Sequence, residues 1–235
     1  MNRPLVILAI AAATACRDDA VVGVDVPGPN CDCTSYFPTC VGASWTYAVE
    51  DPKTGVVTPK TYSITDYSDP DRLDFDLYGF MAFRQRRVTD SDSKDSWLIR
   101  SPDGLQLIWL IDDWFDKNGR RTKTYWYDPG KLRMDESPDH TVVGARWYEH
   151  YTEHRLEMGT ETIVEHEVYW ETRPSEVHGP FGETLCEHKL DIASDSPVPV
   201  DAIYCFARGV GKVYELTVYI SEETLLDWTV PGCAN

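Results

Sequence analysis

Thr160 to Arg173 reads TETIVEHEVYWETR. Thr162, Val164, His166, Val168 and Trp170 fall on one side of a two-residue period. Glu161, Glu165, Glu167, Glu171 and Arg173 fall on the other. A helix, with about 3.6 residues per turn, would scatter both sets around its circumference; a strand sorts them into one packed face and one wet face. The carboxylates mark the wet face.

The same style extends in both directions. Ser44 to Val49 reads as a strand and pairs with Val56 to Tyr67 across the turn Asp51-Pro52-Lys53-Thr54-Gly55. Arg72 to Gln85 alternates, with Leu73, Phe75, Leu77, Met81 and Phe83 against Asp74, Asp76, Tyr78 and Arg84; Phe80 is the exception. Ser96 to Arg100 is a short strand, and Pro102-Asp103-Gly104 turns the chain into Leu105 to Ile111 (LQLIWLI). That run is nearly all apolar, so a central position buried on both faces is expected. Lys117-Asn118-Gly119-Arg120 signals a tight type I′ hairpin, from which Arg121 to Asp128 returns. Gly182 to Ile192, Ala202 to Arg208, Val210 to Ile220 and Leu225 to Val230 read as further strands, with Gly209 and Gly211 marking a bulge. No amphipathic helix stands out. The expected fold is all-β, an antiparallel sandwich or a curved, partly closed barrel of about ten strands. Val41-Gly-Ala-Ser-Trp45 and Val143-Gly-Ala-Arg-Trp147 share four of five residues and each opens a β-rich half, through duplication or through two similar strand starts.

The chain begins with Arg3, the nine-residue apolar run PLVILAIAA (Pro4 to Ala12), and Ala13-Thr14-Ala15 directly before Cys16. These are the parts of a secretory signal peptide in their usual order. The run falls short of the ~20 residues a membrane-spanning helix needs. Ala13-Thr14-Ala15-Cys16 resembles the bacterial lipobox, with Ala13 where Leu is commoner. The resemblance implies that Cys16 receives a diacylglyceryl group on its sulfur and becomes the mature N-terminus. Ordinary cleavage after Ala-x-Ala is the alternative. Seven cysteines are an odd count for an exported chain, and lipidation of Cys16 leaves six that can all pair. The expected division is a signal peptide over 1–15, a lipidated tether with a cysteine cluster over 16–40, and a β domain over 41–235. Several acyl chains anchor stably. The expected location is therefore the cell envelope, on a bacterial membrane, with the outer membrane first and a periplasmic or surface-facing domain. A net charge of −17, from 39 acidic and 22 basic residues, opposes phosphate backbones and anionic lipid surfaces. Nucleic acid is not an expected partner.

Three stretches carry a family resemblance: Gly42-Ala43-Ser44-Trp45-Thr46-Tyr47, Pro180-Phe181-Gly182-Glu183-Thr184-Leu185, and Gly209-Val210-Gly211-Lys212-Val213-Tyr214-Glu215. With them the chain from Val41 to Val230 resembles a loosely defined group of uncharacterised bacterial exported lipoproteins, which have a Gly-x-x-Trp-x-Tyr strand start and a Gly-Val-Gly-x-Val-x-Glu stretch near the end. The resemblance implies a curved antiparallel sheet of the lipoprotein-carrier type. Its motifs are glycines and core residues, so it carries over no catalytic residue.

Six cysteines suit an oxidising compartment. Cys186 and Cys205 lie in strands expected to be neighbours and are paired. A bridge within Cys31-Asp32-Cys33 would be strained. That leaves Cys31–Cys40 with Cys33–Cys233, or Cys33–Cys40 with Cys31–Cys233. Either ties the C-terminus to the N-terminal edge, closing a loop of ~200 residues for about 4–5 kcal/mol on the loop-entropy account. A metal site at Cys31-x-Cys33 is disfavoured, since export favours oxidation over free thiolates.

Several motifs imitate chemistry. His150-Tyr151-Thr152-Glu153-His154 matches the H-x-x-E-H pattern of inverted zinc peptidases, which need a helix to bring both histidines to one metal. The flanking residues are strand-like, and in a strand the histidines lie ~13 Å apart at ~3.3 Å per residue. Asp112-Asp113-Trp114-Phe115-Asp116-Lys117-Asn118-Gly119 resembles a calcium loop. With Gly119 at position six, Trp114 and Tyr125 occupy the two ligand slots that matter most, and both fail. His166 and His188 fall on apolar strand faces and read as satisfied core histidines. There is no nucleophile elbow and no phosphate loop. No catalytic residue, metal or cofactor is assigned.

Two functions remain. The first is a membrane-anchored structural or interaction module of the bacterial envelope, meeting a protein or glycan through a sheet edge or exposed aromatics. The second is a binding or carrier protein for a hydrophobic or amphipathic small ligand held in the hollow of the sheet. A hydrolase comes third. An apolar cavity not filled by side chains favours the second; a filled core with surface Trp and Tyr favours the first.

Overall fold

The structure is a computed structural model that describes residues 31–68, 81–175, 177 and 179–233. Twelve strands follow one another: β1 (Ser44–Glu50), β2 (Val57–Ser68), β3 (Ala82–Val88), β4 (Asp92–Arg100), β5 (Gln106–Asp116), β6 (Arg121–Asp135), β7 (Arg146–Glu157), β8 (Thr160–Arg173), β9 (Thr184–Ala193), β10 (Val200–Ala207), β11 (Gly211–Thr217) and β12 (Ser221–Thr229). Each pairs antiparallel with the next, and β1 also pairs with β12. The curved sheet therefore closes completely into a barrel, and no edge strand is left exposed among the described residues.

β8 behaves as its period dictates. Val164, His166, Val168, Trp170 and Thr172 are buried, while Glu161, Glu165 and Glu167 are exposed. Ile163 and Tyr169 also stand on the wet face between the carboxylates. The pairing registers carry the inward face around the barrel. Tyr151 lies opposite His166 and Glu153 opposite Val164; Lys189 lies opposite Trp170, and Tyr204 opposite Glu187.

The barrel is filled differently along its length. One end holds an apolar core of Trp45, Leu98, Leu107, Met134, Leu185, Phe206 and Leu225. Residues 31–40, grouped with the tether in the sequence, pack into this end with Tyr36 and Phe37 buried. Phe37 meets Trp45 and Phe206 at ring-centroid distances of 5.6 and 6.1 Å. Arg100 fastens the segment by donating to Ser35 Oγ and to the Phe37 carbonyl. Two sequence motifs interlock here across the lumen: Trp45 Nε1 donates to the Val210 carbonyl, and Tyr47 Oη donates to the Lys212 carbonyl at 2.7 Å. Disulfides join Cys31 to Cys40, Cys33 to Cys233 and Cys186 to Cys205. The first two are one of the arrangements that the spacing left open. The third bridges directly opposed residues of β9 and β10.

The two similar pentapeptides share a backbone pattern. Gly42 N donates to Ile64 O and Ile64 N to Ala43 O; Gly144 N donates to Thr172 O and Thr172 N to Ala145 O. The first lies just ahead of β1, the second just ahead of β7.

Several local expectations need correction. Asn118-Gly119 does not form a type I′ turn. Gly119 takes a positive φ and Asn118 does not, because Asp116 Oδ1 accepts from both Asn118 N and Arg120 N and holds a wider loop. The strand expected over Arg121 to Asp128 does not stop there. Asp128-Pro129-Gly130 is absorbed as a bulge, with pairing jumping from Ile111–Trp126 to Trp109–Lys131, and β6 runs on to Asp135. His188 does not face the interior. It points outward to Asp201 at 2.8 Å, while Glu187, Lys189 and Asp191 of the same strand are the buried ones. The bulge expected at Gly209 and Gly211 falls at Val213, between the Cys205–Tyr214 and Phe206–Lys212 pairs. Of the Arg72 to Gln85 alternation, residues 72–80 lie outside the described residues. Phe83 is buried as expected and Met81 is exposed. The LQLIWLI run is buried on both sides: Leu107 joins the inner core, and Leu110 and Ile111 pack outside the barrel with Ala82 and Trp97.

Candidate functional site

Above the apolar end the lumen turns polar. A cavity of about 290 Å³ is lined from β2 and from every strand between β4 and β11, which places it on the barrel axis. Its walls are aromatic: Trp109, Trp114, Tyr125, Tyr127, Trp170 and Tyr204, with Tyr62 from β2. Between the rings stand Lys94, Lys131, Arg133 and Lys189, and the carboxylates Asp112, Glu153 and Glu215. The volume is at the lower end of the ~300–1,000 Å³ typical of small-molecule sites.

The carboxylates are already engaged. Asp112 accepts from Lys94 Nζ at 3.0 Å, from Ser96 Oγ, and from Tyr127 Oη at 2.9 Å. Glu215 pairs with Lys212, which also reaches Glu223 at 2.7 Å. Glu153 pairs with Arg155 at 2.6 Å and with His166 Nε2 at 3.1 Å. His166 Nδ1 meets Asp191 at 2.7 Å, and Asp191 takes Lys189 at 2.9 Å and Tyr151 Oη at 3.2 Å. Burial alone would lower the His166 pKa, but its hydrogen bonds to Asp191 and Glu153 prevail and hold it above the ordinary histidine value. Burial likewise works to raise Asp191 and Glu153, and their bonds to His166 and to nearby cations outweigh it and hold both low. This chain is an internally satisfied network packed beside the cavity.

The cations are not all satisfied. Lys131 and Arg133, both delivered inward by the β6 bulge, make no ion pair and no side-chain hydrogen bond among the described residues. Gly130 permits that bulge. Its φ is +136°, and a Cβ there would sit 2.6 Å from Ile108. Arg133 is 8% exposed. Its guanidinium lies over Trp109 at 4.9 Å and Tyr204 at 5.2 Å, and its buried Nε has no acceptor. Lys131 Nζ lies 5.7 Å from the Trp109 ring and 5.2 Å from Tyr127, and Lys94 Nζ lies 4.7 Å from Trp109. The indole N–H groups of Trp109 and Trp114 are likewise buried without acceptors. Burial pushes the Lys189 pKa down, and Lys131 pushes it further. Glu187 cannot supply the missing charge: burial, then Asp135, raises its pKa to about 8, so it is mostly neutral at pH 7.

A second hollow of about 340 Å³ is lined by Thr39, Tyr67, Met81, Phe83 and Arg100 among others. Arg100, the cation there, is committed to Glu136 at 3.0 Å and to Ser35 at 2.8 Å. It offers no comparable set of idle donors.

The motifs that imitate chemistry are taken apart by the strands. In β7, Glu153 turns inward while His150 and His154 sit outside with Glu165 and Glu161 at 3.2 and 2.9 Å, so the H-x-x-E-H residues never converge. In the calcium-like loop, Asp112 faces the lumen, Asp113 accepts from Thr124 and Asp116 caps its own turn. Cys16 lies outside the described residues. The lumen residues Lys131 and Arg133 were missed in the sequence. No family model, no curated protein and no solved structure matches the chain.

Proposed function

We propose that the protein is a ligand-binding lipoprotein of the bacterial cell envelope, which encloses a compact amphipathic molecule in the barrel lumen. The observation that carries this reading is the 290 Å³ cavity, with aromatic walls and four buried or half-buried cations, two of them without a carboxylate in contact among the described residues. Buried donors without partners are rare in native interiors, and a bound molecule is one way to satisfy them. Anchorage through Cys16 is part of the same proposal and is supported by the lipobox-like Ala13-Thr14-Ala15-Cys16. The aromatic walls supply the apolar part of the fit, and the polar groups favour a charged or strongly polar end over a wholly apolar lipid.

Native mass spectrometry of the full chain, made with its own leader and released from detergent micelles, tests the proposal. A diacylglyceryl mass at Cys16 and a second, non-covalent small-molecule adduct are expected, the adduct lost on acid unfolding. A chain without an adduct, whose melting temperature no small-molecule library raises, would favour the envelope-interaction reading. The exposed Tyr148 and Tyr169 on the outer face of β7 and β8, 5.3 Å apart, would then be the surface to follow.

A further inference from the structure

The positions of Lys131, Arg133 and Trp109 say which end of a ligand goes where. Lys94, Lys131 and Arg133 surround one indole within 5.7 Å of its centroid, and among the described residues only Lys94 has a carboxylate in contact. Cations held this close in a partly dry interior repel one another, and the protein's net charge of −17 makes their collection here the more pointed. The neighbouring acids attract them from a distance, Glu215 acting on Arg133 and Glu153 on Lys131, but each is in direct contact with other cations. Glu215 is taken by Lys212, and Glu153 by Arg155 and His166. Glu149 accepts from Leu132 N and from Trp170 Nε1 at 3.1 Å. What the cluster lacks, among the described residues, is a carboxylate in contact with Lys131 or Arg133, and what its floor lacks is an acceptor for the Arg133 Nε–H and the Trp109 Nε1–H.

We propose that the ligand is a compact aromatic acid, whose anionic group seats between Lys131 and Arg133 over Trp109 and whose planar body stacks against the tryptophan and tyrosine walls. This rests on the binding reading above and adds the charge, the shape and the seat. A guanidinium and an ammonium side by side suit a carboxylate or sulfonate oxygen pair: the guanidinium offers directional donors and the ammonium a mobile one. About 290 Å³ holds roughly ten water molecules at ~30 Å³ each, or one single-ring acid with room to orient.

Isothermal titration of the full chain with phenylacetate, its neutral isostere phenylacetamide and the cation phenethylamine reads the charge directly. Phenylacetate is expected to bind at least tenfold more tightly than the amide, with the amine weaker still. Lys131→Met should lose at least tenfold for phenylacetate and leave the amide unchanged. Lys131 is half-buried and unpaired, so this variant leaves no carboxylate stranded. Arg133→Met should do the same, and Lys131→Met keeps the test intact if the arginine variant does not fold. If the amide or the amine binds as tightly as the acid, or Lys131→Met binds the acid normally, the anionic seat is wrong and the binding reading survives. If none of the three gives heat and the purified chain carries no adduct, both fall together.

Discussion

His166 shows how one buried residue sets a pH window. Its ring lies between two carboxylates, donating from Nδ1 to Asp191 and from Nε2 to Glu153, and it needs both protons to do so. Because its folded pKa is raised, its contribution is fully present below the unfolded value of ~6.5 and is lost as pH rises through the folded value. Asp191 and Glu153 have lowered folded values, so their contribution is present above the unfolded values of ~4 and is lost as pH falls. The cluster is therefore strongest between about pH 4.5 and 6.5. His166→Gln should cost about 1–3 kcal/mol at pH 6, the scale of charge-assisted hydrogen bonds, and less at pH 9. Urea midpoints of wild type and variant at the two pH values check it. An equal gap at both would mean that the histidine sits there neutral.

At the scale of elements, the closing Gly-Val-Gly stretch owes its residue types to what crosses it. Gly211 has φ +107°, and a Cβ there would meet Trp45 Nε1 at 2.9 Å. Gly55, at φ +67°, has open space around it. Gly55→Ala should cost about 1–2 kcal/mol for the left-handed backbone alone. Gly211→Ala should cost about 1–3 kcal/mol more, because Trp45 must leave its hydrogen bond to Val210. Thermal melts of the two variants side by side separate backbone strain from the clash. The same scale shows what a sequence exposes and what it hides. The two-residue period of β8 survives because nothing interrupts it. In β9 the period is equally legible, but its sense is inverted: Leu190 and Ile192 face outward and Lys189 and Asp191 inward, where they join the charged network beside the lumen cavity. The residues of the site were hidden twice over. Asp128-Pro129-Gly130 looks like the end of a strand, so Lys131 and Arg133 had no face assigned, and Trp109 sits in a run too apolar to show an alternation.

For the whole molecule, closure is uneven, and the disulfide that ties the segment ahead of β1 to the segment after β12 sits beside the weakest part of it. The β11–β12 ladder pairs only Tyr214–Thr224 through Thr217–Ser221, whereas β7 and β8 pair along their full length from Arg146–Glu171 to Glu157–Thr160. β12 is held from its other side by β1, from within by the Lys212–Glu223 and Lys60–Glu223 ion pairs, and just past its end by Cys33–Cys233. Strands with short ladders open at lower free energy than the body of a domain, so amide exchange should be faster in β11 and β12 than in β7 and β8. The disulfide spans 200 residues, so its loss releases the largest loop in the chain. The double variant Cys33→Ser/Cys233→Ser should lose about 2–5 kcal/mol of global stability. Its exchange should accelerate most in β1 and β12, where the barrel was closed last in sequence, and in β7 and β8 only by as much as global stability falls. A uniform acceleration would mean that the barrel opens as a single unit and that the covalent tie between its ends adds nothing local to the seam.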